Sequence, residues 1–437
     1  MFTSFGRRQF LQTSALAGAA LAVPRVHAGE TGALKIGLIG CGGRGRGAVV
    51  NAFDADKQYR LVALGDAFAE NAKAAAETMK AKFPDRVDVT PETTFSGPDC
   101  FKNVIPLCDV VFLCETPYFR QYSLRAAVEA GKHVFCEKPV ATDAAGVRSV
   151  LDSVEIARKK KLNLAVGLDN RYDFCFNEML KRIQDGAIGE VCTAELHNMV
   201  GKLWTRPRLE NDSELKFQVR NWYNFAWLSG DFIVEQAIHR IDKGYRIFGE
   251  MDPESAFAIG ARMARTEQPE YGDIYDAVSV VYEYPLGKRV YSYYRQQHKT
   301  LFSGLDSCMG TKGYAILSGK NAALFDHSGK VLYERKPRKE PITKVQEHIE
   351  LSTAIRSGGS IYMNNGKQGA IATLIAILGR EASYSGNRIM WSDVWNMPNW
   401  SSGGNTWDVS SPTLPDDKGR YLVSVPGLGK VYHQVTR

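Results

Sequence analysis

The chain has 437 residues, of which 44% are hydrophobic, 24% charged and 11% aromatic, a composition that excludes a disordered, collagen-like or disulfide-scaffold protein. The formal net charge of +7, from 55 basic and 48 acidic residues, is spread without a basic tract and argues against nucleic-acid binding. The length suits two or three domains, each able to bury a core.

Residues 1–28 read as an export signal. Arg7-Arg8-Gln9-Phe10-Leu11 precedes an apolar run from Ala15 to Val23 and a small-residue site, Val26-His27-Ala28, the three-part pattern of a cleaved signal. The apolar core is about ten residues, against the roughly 20 that span a bilayer. Paired arginines before Phe-Leu resemble a twin-arginine signal, which predicts the twin-arginine translocation machinery as a partner and a periplasmic destination. Cleavage after Ala28 removes three arginines and no acid, lowering the net charge to +4, and no later segment has membrane-spanning length. The mature chain is therefore expected to be free of the membrane.

From Leu34 to Leu168 short apolar runs alternate with helical patterns. Leu34–Ile39, Leu61–Leu64, Val110–Leu113, His133–Phe135 and Leu164–Val166 read as strands, and 48–52, 70–83, 122–129 and 143–161 as helices. That alternation predicts a doubly wound parallel sheet over 34–168. After it come a helix at 176–185 and the polar/apolar alternations 190–198, 256–264, 277–284 and 289–297, which predict a large, mostly antiparallel open sheet. Late helices are expected at 342–357 and 367–385. The expected organisation is an α/β protein: a dinucleotide-binding domain at 34–168, an α+β domain for substrate and oligomerisation at 169–395, and an extended tail at 396–437. Eight cysteines lack metal-ligand spacing and read as buried thiols, and no metal site is indicated.

The first strand runs into Gly40-Cys41-Gly42-Gly43-Arg44-Gly45. In G-x-G-x-x-G the first glycine makes the tight turn, the second admits a pyrophosphate and the third lets helix and strand pack closely, while the helix N-terminus favours phosphate. The second strand ends in Asp66, 21 residues after Gly45, where a carboxylate accepts from an adenosine ribose and repels a 2′-phosphate. NAD is therefore expected over NADP.

The strands Val110–Leu113 and His133–Phe135 run into Cys114-Glu115-Thr116-Pro117 and Cys136-Glu137-Lys138-Pro139, the edge where such sheets bind ligands. With the glycine loop, the T-P turn, E-K-P, Val166-Gly167-Leu168-Asp169-Asn170-Arg171 and His239-Arg240-Ile241-Asp242, the chain resembles the glucose–fructose oxidoreductase / inositol dehydrogenase / MocA (Gfo/Idh/MocA) family over nearly all of its mature length. The resemblance implies Lys138 beside the nicotinamide and the reacting hydroxyl, with Glu137, Thr116, Pro117, Gln121 and Asn170 as cofactor contacts and Arg171 at the substrate. It also implies a helix carrying an acid and a histidine, here Glu235 and His239. At helical spacing Glu235, His239 and Asp242 share one face. His239 is expected to take the hydroxyl proton and Lys138 to polarise or protonate the same oxygen. Two departures stand out: Glu235 replaces the family's Asp, and Gln121 stands where the family has His.

The segment Arg220-Asn221-Trp222-Tyr223-Asn224-Phe225-Ala226-Trp227 suits a carbohydrate pocket, with Trp222, Tyr223 and Trp227 against sugar faces; a packed loop or a subunit interface fits it equally well. The expected function is hydride transfer between a sugar or cyclitol carbon and NAD, the cofactor supplying the hydride chemistry. An exported enzyme meets no evident cofactor pool, so NAD is expected to be tightly held. The alternative is an NAD-dependent glycoside hydrolase working by transient oxidation, as in the related N-acetylgalactosaminidases. A non-catalytic sensor would not need Lys138, His239 and Asp242. The resemblance also implies a homo-oligomer.

Overall fold

The computed structural model describes residues 32–427 apart from 266–268, 319–321, 337, 398–399, 401–406 and 408–409. The export-signal expectation for residues 1–28 lies outside the described residues.

Strands β1 (Leu34–Ile39), β2 (Tyr59–Asp66), β3 (Thr94–Ser96), β4 (Val110–Leu113), β5 (His133–Cys136) and β6 (Leu164–Val166) form a six-stranded parallel sheet in the order β3-β2-β1-β4-β5-β6. Every residue of β4 and β6 is buried, as expected where crossover helices cover both faces. The strand order reverses between β1 and β4, opening a crevice at their carboxyl ends. The helices Gly43–Ala55, Ala69–Lys82, Arg120–Glu129 and Ala144–Lys159 supply the crossovers. The last begins at Asp143, whose side chain accepts from the Gly146 amide at 2.7 Å, an N-cap worth about 1 kcal/mol.

The second sheet has nine strands in the order β14-β13-β12-β11-β7-β10-β9-β8-β15. Four were legible as alternations: β7 (Val191–Val200), β8 (Ser255–Ala261), β9 (Ala277–Glu283) and β10 (Arg289–Gln296). The other five are β11 (Asp306–Gly310), β12 (Gly313–Ile316), β13 (Ala323–Asp326), β14 (Val331–Glu334) and β15 (Ile389–Met390), too short to show a period. Pairing is antiparallel throughout except β10 with β7.

The helix Gly366–Ser385 is buried on nearly all sides, as a helix apolar all round must be. It packs against β8 and β9 of the second sheet and against Ala144–Lys159 of the first domain, so it ties the halves together. The helix Thr343–Arg356 lies on Gly43–Ala55. Two described residues of the expected tail are tied to the body: the Trp400 amide donates to Asp143 and Tyr275 donates to the Ser424 carbonyl, both at 2.8 Å. The five cysteines Cys41, Cys100, Cys108, Cys136 and Cys308 are buried thiols.

One helical expectation is corrected. Glu235 and His239 do not share a helix: Phe232–Glu235 and Ile238–Ile247 are separate, broken at Gln236–Ala237. The break turns the two side chains toward different partners.

Candidate active site

The crevice holds a cavity of about 780 Å³ lined by Gly40, Gly42, Gly43, Arg44 and Gly45, by Asp66 and Phe68 after β2, and by Cys114, Glu115 and Thr116 after β4, a volume within the range of cofactor pockets. Gly40 has φ of +89°, and a Cβ there would lie 2.3 Å from the Glu115 amide nitrogen; nothing lies within 4 Å of where a Cβ would stand on Gly42 or Gly43. The loop is thus tight beneath and open above. At Gly45 a Cβ would strike the Gly40 carbonyl oxygen at 1.9 Å, so helix and strand approach as the third glycine requires. These residues fit a dinucleotide.

Asp66 lines the cavity while bracing the loop. Its Oδ2 accepts from the Cys41 amide at 2.7 Å, and its Oδ1 from the Phe68 amide at 2.9 Å and Asn71 Nδ2 at 3.1 Å. Oδ1 is thus filled, and Oδ2 keeps one lone pair for a ribose hydroxyl. Burial raises its pKa, and those donors oppose the rise.

The cavity has a second wall from the other domain: Trp204, Arg206, Leu209, Arg220 and Trp222, joined by Trp407 of the tail. Phe68 lies between the Trp407 ring, 5.4 Å away, and the Arg220 guanidinium, 4.1 Å above it. Arg220 is fixed by Asp212 at 3.0 Å and Glu70 at 2.9 Å. Trp222, expected at the substrate, therefore belongs to the cofactor cavity, and sequence reasoning did not find Trp407 at all.

Beyond the glycine loop lies a charged cluster. Arg44 pairs with Glu137 at 2.5 Å and with the buried Glu347 at 3.3 Å. Burial pushes Glu347 well above the usual carboxylate value, with the Glu137 charge adding to it. The next residue, Lys138, pairs with Glu235 at 2.8 Å and also donates to the Glu235 carbonyl oxygen. Both side chains are only 13–14% exposed, which makes the pair harder to screen than a surface one. The Lys138–Pro139 peptide is cis.

His239 sits close enough to this pair for Lys138, Glu137 and Glu235 all to act on its charge. Its Nδ1 is buried and lies 3.3 Å from Asp169 Oδ1. Burial pushes the imidazole down to about 4; Asp169 opposes this and Lys138 reinforces it. A quarter of the side chain, 26%, remains exposed. The ring is therefore a neutral base at pH 7 with one edge open.

Several expected contacts fall elsewhere. Asp242 is fully buried and held by Arg171, with Nη2 at 2.5 Å and Nε at 3.1 Å, while Arg171 also binds Glu250 at 2.7 Å. This pair anchors the helix Ile238–Ile247 to the Asp169–Tyr172 turn, and both side chains face each other rather than the cavity. Asn170 donates to the His239 carbonyl at 3.3 Å rather than lining the cavity. Gln121 is buried with its amide on the Tyr118 carbonyl at 3.2 Å, and Pro117 is buried beside it. Trp227 is fully buried; its indole donates to Gln218 at 2.7 Å and its ring meets Tyr118 edge-on at 5.0 Å. Tyr223 is buried, accepting from Gln296 at 2.5 Å. Trp227 and Tyr223 are thus packed in the core with their polar atoms satisfied, as a buried indole or phenol requires. Among the described residues no group of three or more His, Cys, Asp and Glu could hold a metal, and no helix is long and apolar enough to cross a membrane.

This parallel sheet, glycine loop and two-walled cavity define a dinucleotide-binding protein. Residues 34–168 match the Gfo/Idh/MocA model, described as an oxidoreductase family with an NAD-binding Rossmann fold. Among curated relatives, the inositol 2-dehydrogenase of Rhizobium meliloti (strain 1021) is 28% identical over 256 residues, covering 59% of this chain and 67% of the relative. That of Pseudomonas savastanoi pv. phaseolicola is 33% identical over 240 residues, covering 54% and 66%. The chain spans about half to two thirds of the curated relatives it matches. The aldose–aldose oxidoreductase of Caulobacter crescentus shares the fold with a TM-score of 0.63 at 19% identity, covering 82% of this chain and 99% of that one. A levoglucosan dehydrogenase in complex with NADH and levoglucosan does so at 0.63 and 18%, with coverages of 82% and 99%.

Proposed function

We propose that this protein is an oxidoreductase that moves a hydride between a hydroxyl-bearing carbon of a sugar or cyclitol and NAD. The observation that carries the reading is the convergence of Lys138, Glu235 and His239 beside Arg44, a wall residue of the cavity, with Arg44 paired to the residue that precedes Lys138. A nicotinamide bound there supplies the hydride acceptor. His239 takes the hydroxyl proton as the O–H pair becomes the carbonyl bond, and Lys138 donates a hydrogen bond to that oxygen; Glu235 holds the ammonium in place. The carbon is oxidised and the cofactor reduced by the same two electrons.

NAD is favoured over NADP by the Asp66 carboxylate at the cavity wall, which would repel a 2′-phosphate. The second wall favours a retained cofactor, since Trp204, Arg206 and Trp407 stand over the groove. The proposal extends to export: Arg7-Arg8-Gln9-Phe10-Leu11 would direct the chain through the twin-arginine route to the periplasm, where a retained cofactor needs no external supply. Glycoside cleavage draws no support from the relatives.

The test is the nicotinamide content of purified, desalted protein, followed by bound-cofactor reduction monitored at 340 nm with myo-inositol, D-glucose and levoglucosan as probes. About one nucleotide per chain is expected. Lys138→Ala is expected to keep the nucleotide and slow its reduction by a factor of about 10²–10⁴, the usual worth of a positioned acid–base group. A Lys138→Ala protein that reduces its cofactor at the full rate removes Lys138 from the chemistry. A protein that binds no nicotinamide removes the function.

A further inference from the structure

We propose that Asp169, from the turn after β6, positions His239 for proton transfer. The inference rests on His239 acting as the base in the reading above.

The sequence spacing favours Asp242, three residues on from His239, but that carboxylate is bound to Arg171: it has no exposed surface, its Oδ1 takes two hydrogen bonds from Arg171 and its Oδ2 has no partner. Asp169 is the carboxylate that lies against the ring. Its Oδ1 lies 3.3 Å from His239 Nδ1, and its Oδ2 accepts from Thr343 Oγ1 at 3.1 Å. The carboxylate is thus anchored at one oxygen by the helix Thr343–Arg356 and presents the other to the imidazole. The neighbouring Asn170 donates to the His239 carbonyl, so two consecutive residues of one turn grip the main chain and the ring of the same histidine.

Nδ1 is buried and makes no hydrogen bond to any described residue in this conformation; Asp169 Oδ1, 3.3 Å away, is the acceptor that stands against it. A proton on Nδ1 has only Asp169 to meet, which leaves Nε2 unprotonated to receive the hydroxyl proton. A carboxylate behind an imidazole fixes the tautomer and steadies the imidazolium that forms. The charges that face the ring are Asp169, Lys138, Glu137 and Glu235; those that face Asp169 are His239, Lys344 and Arg44. Asp169 is the anion against the buried Nδ1 edge, and its charge favours a proton on that nitrogen.

The experiment needs no substrate. Long-range ¹H–¹⁵N correlation spectra of [¹⁵N]histidine-labelled protein report the tautomer of each imidazole at pH 7.5, and His239→Gln identifies the relevant signals. The wild type is expected to show His239 protonated at Nδ1 by a roughly tenfold preference, Asp169→Ala to shift it toward Nε2–H, and Asp169→Glu to restore part of the preference. Asp242→Asn is expected to leave the tautomer unchanged. If Asp169→Ala fails to fold, Thr343→Val frees the carboxylate and should produce a smaller shift in the same direction. An unchanged tautomer in Asp169→Ala, or in Thr343→Val where that variant replaces it, overturns the assignment, as does a shift produced by Asp242→Asn instead. His239→Gln with undiminished cofactor reduction would fail the catalytic reading separately, leaving the Asp169 contact intact.

Discussion

Gly40 lies at the foot of the cofactor cavity with a left-handed backbone and no room for a methyl group. Gly40→Ala must strain φ and displace the Glu115 main chain, so it is expected to cost about 1–3 kcal/mol and to weaken NAD binding at least tenfold; thermal denaturation and a nucleotide titration check both. This position was legible because the glycine spacing reports backbone needs directly. Lys138 and His239 were legible through the family's motifs, and both lie in the cluster. Asp169 was passed over, although it lies inside the quoted Val166–Arg171 segment, because a helical wheel rewards residues on the same helix and is blind to a turn packed from outside. Tyr223 and Trp227 failed in the opposite direction: aromatic residues near polar ones suit a sugar pocket and a satisfied core equally, and only burial separates the two.

The helix Thr343–Arg356 shows how a structural element can carry cost next to the site it supports. His348 on this helix is fully buried, stacked on Phe112 at 5.2 Å and tilted against Phe135 at 4.4 Å, with neither ring nitrogen hydrogen-bonded. Burial holds it down at about 3. An unfolded histidine takes its proton near 6.5, so the folded state loses stability as the pH falls from about 6.5 toward 3. His348→Leu removes two unsatisfied nitrogens and that proton uptake. It is expected to raise stability by about 1 kcal/mol at pH 7.5 and by about 2 kcal/mol more at pH 5, read from urea midpoints at the two pH values. His133 and His239, both pushed down by burial to about 4, retain their share of the acid sensitivity. Elements of this length were placed from sequence to within a few residues, since they carry several turns of periodic burial. The strands from β11 to β15 were missed because two to five residues hold too little pattern to stand out.

At the scale of the whole molecule, the nine-stranded sheet has one face under the helix Gly366–Ser385 and one face open. Phe257, Ile259 and Met309 project from the open face, Ile259 with 81% of its surface exposed, and Tyr291 and Tyr293 lie between them in register. A sheet face carrying this much apolar surface suits docking of a second copy, which a mass measurement tests. Light scattering is expected to give a mass at a multiple of the single chain, with Ile259→Arg shifting it to one chain without loss of bound nicotinamide; a wild type that already runs as one chain would dismiss the assembly. The two-domain plan itself followed from the change in pattern after Leu168, whereas the way the halves meet depends on contacts between residues hundreds of positions apart.

The cavity walls come from Gly40–Gly45 near the start of the chain and Trp407 near its end. Synthesis completes the floor early and the opposing wall last. The groove therefore gains its second wall only after Trp407 has been made, hundreds of residues behind the glycine loop.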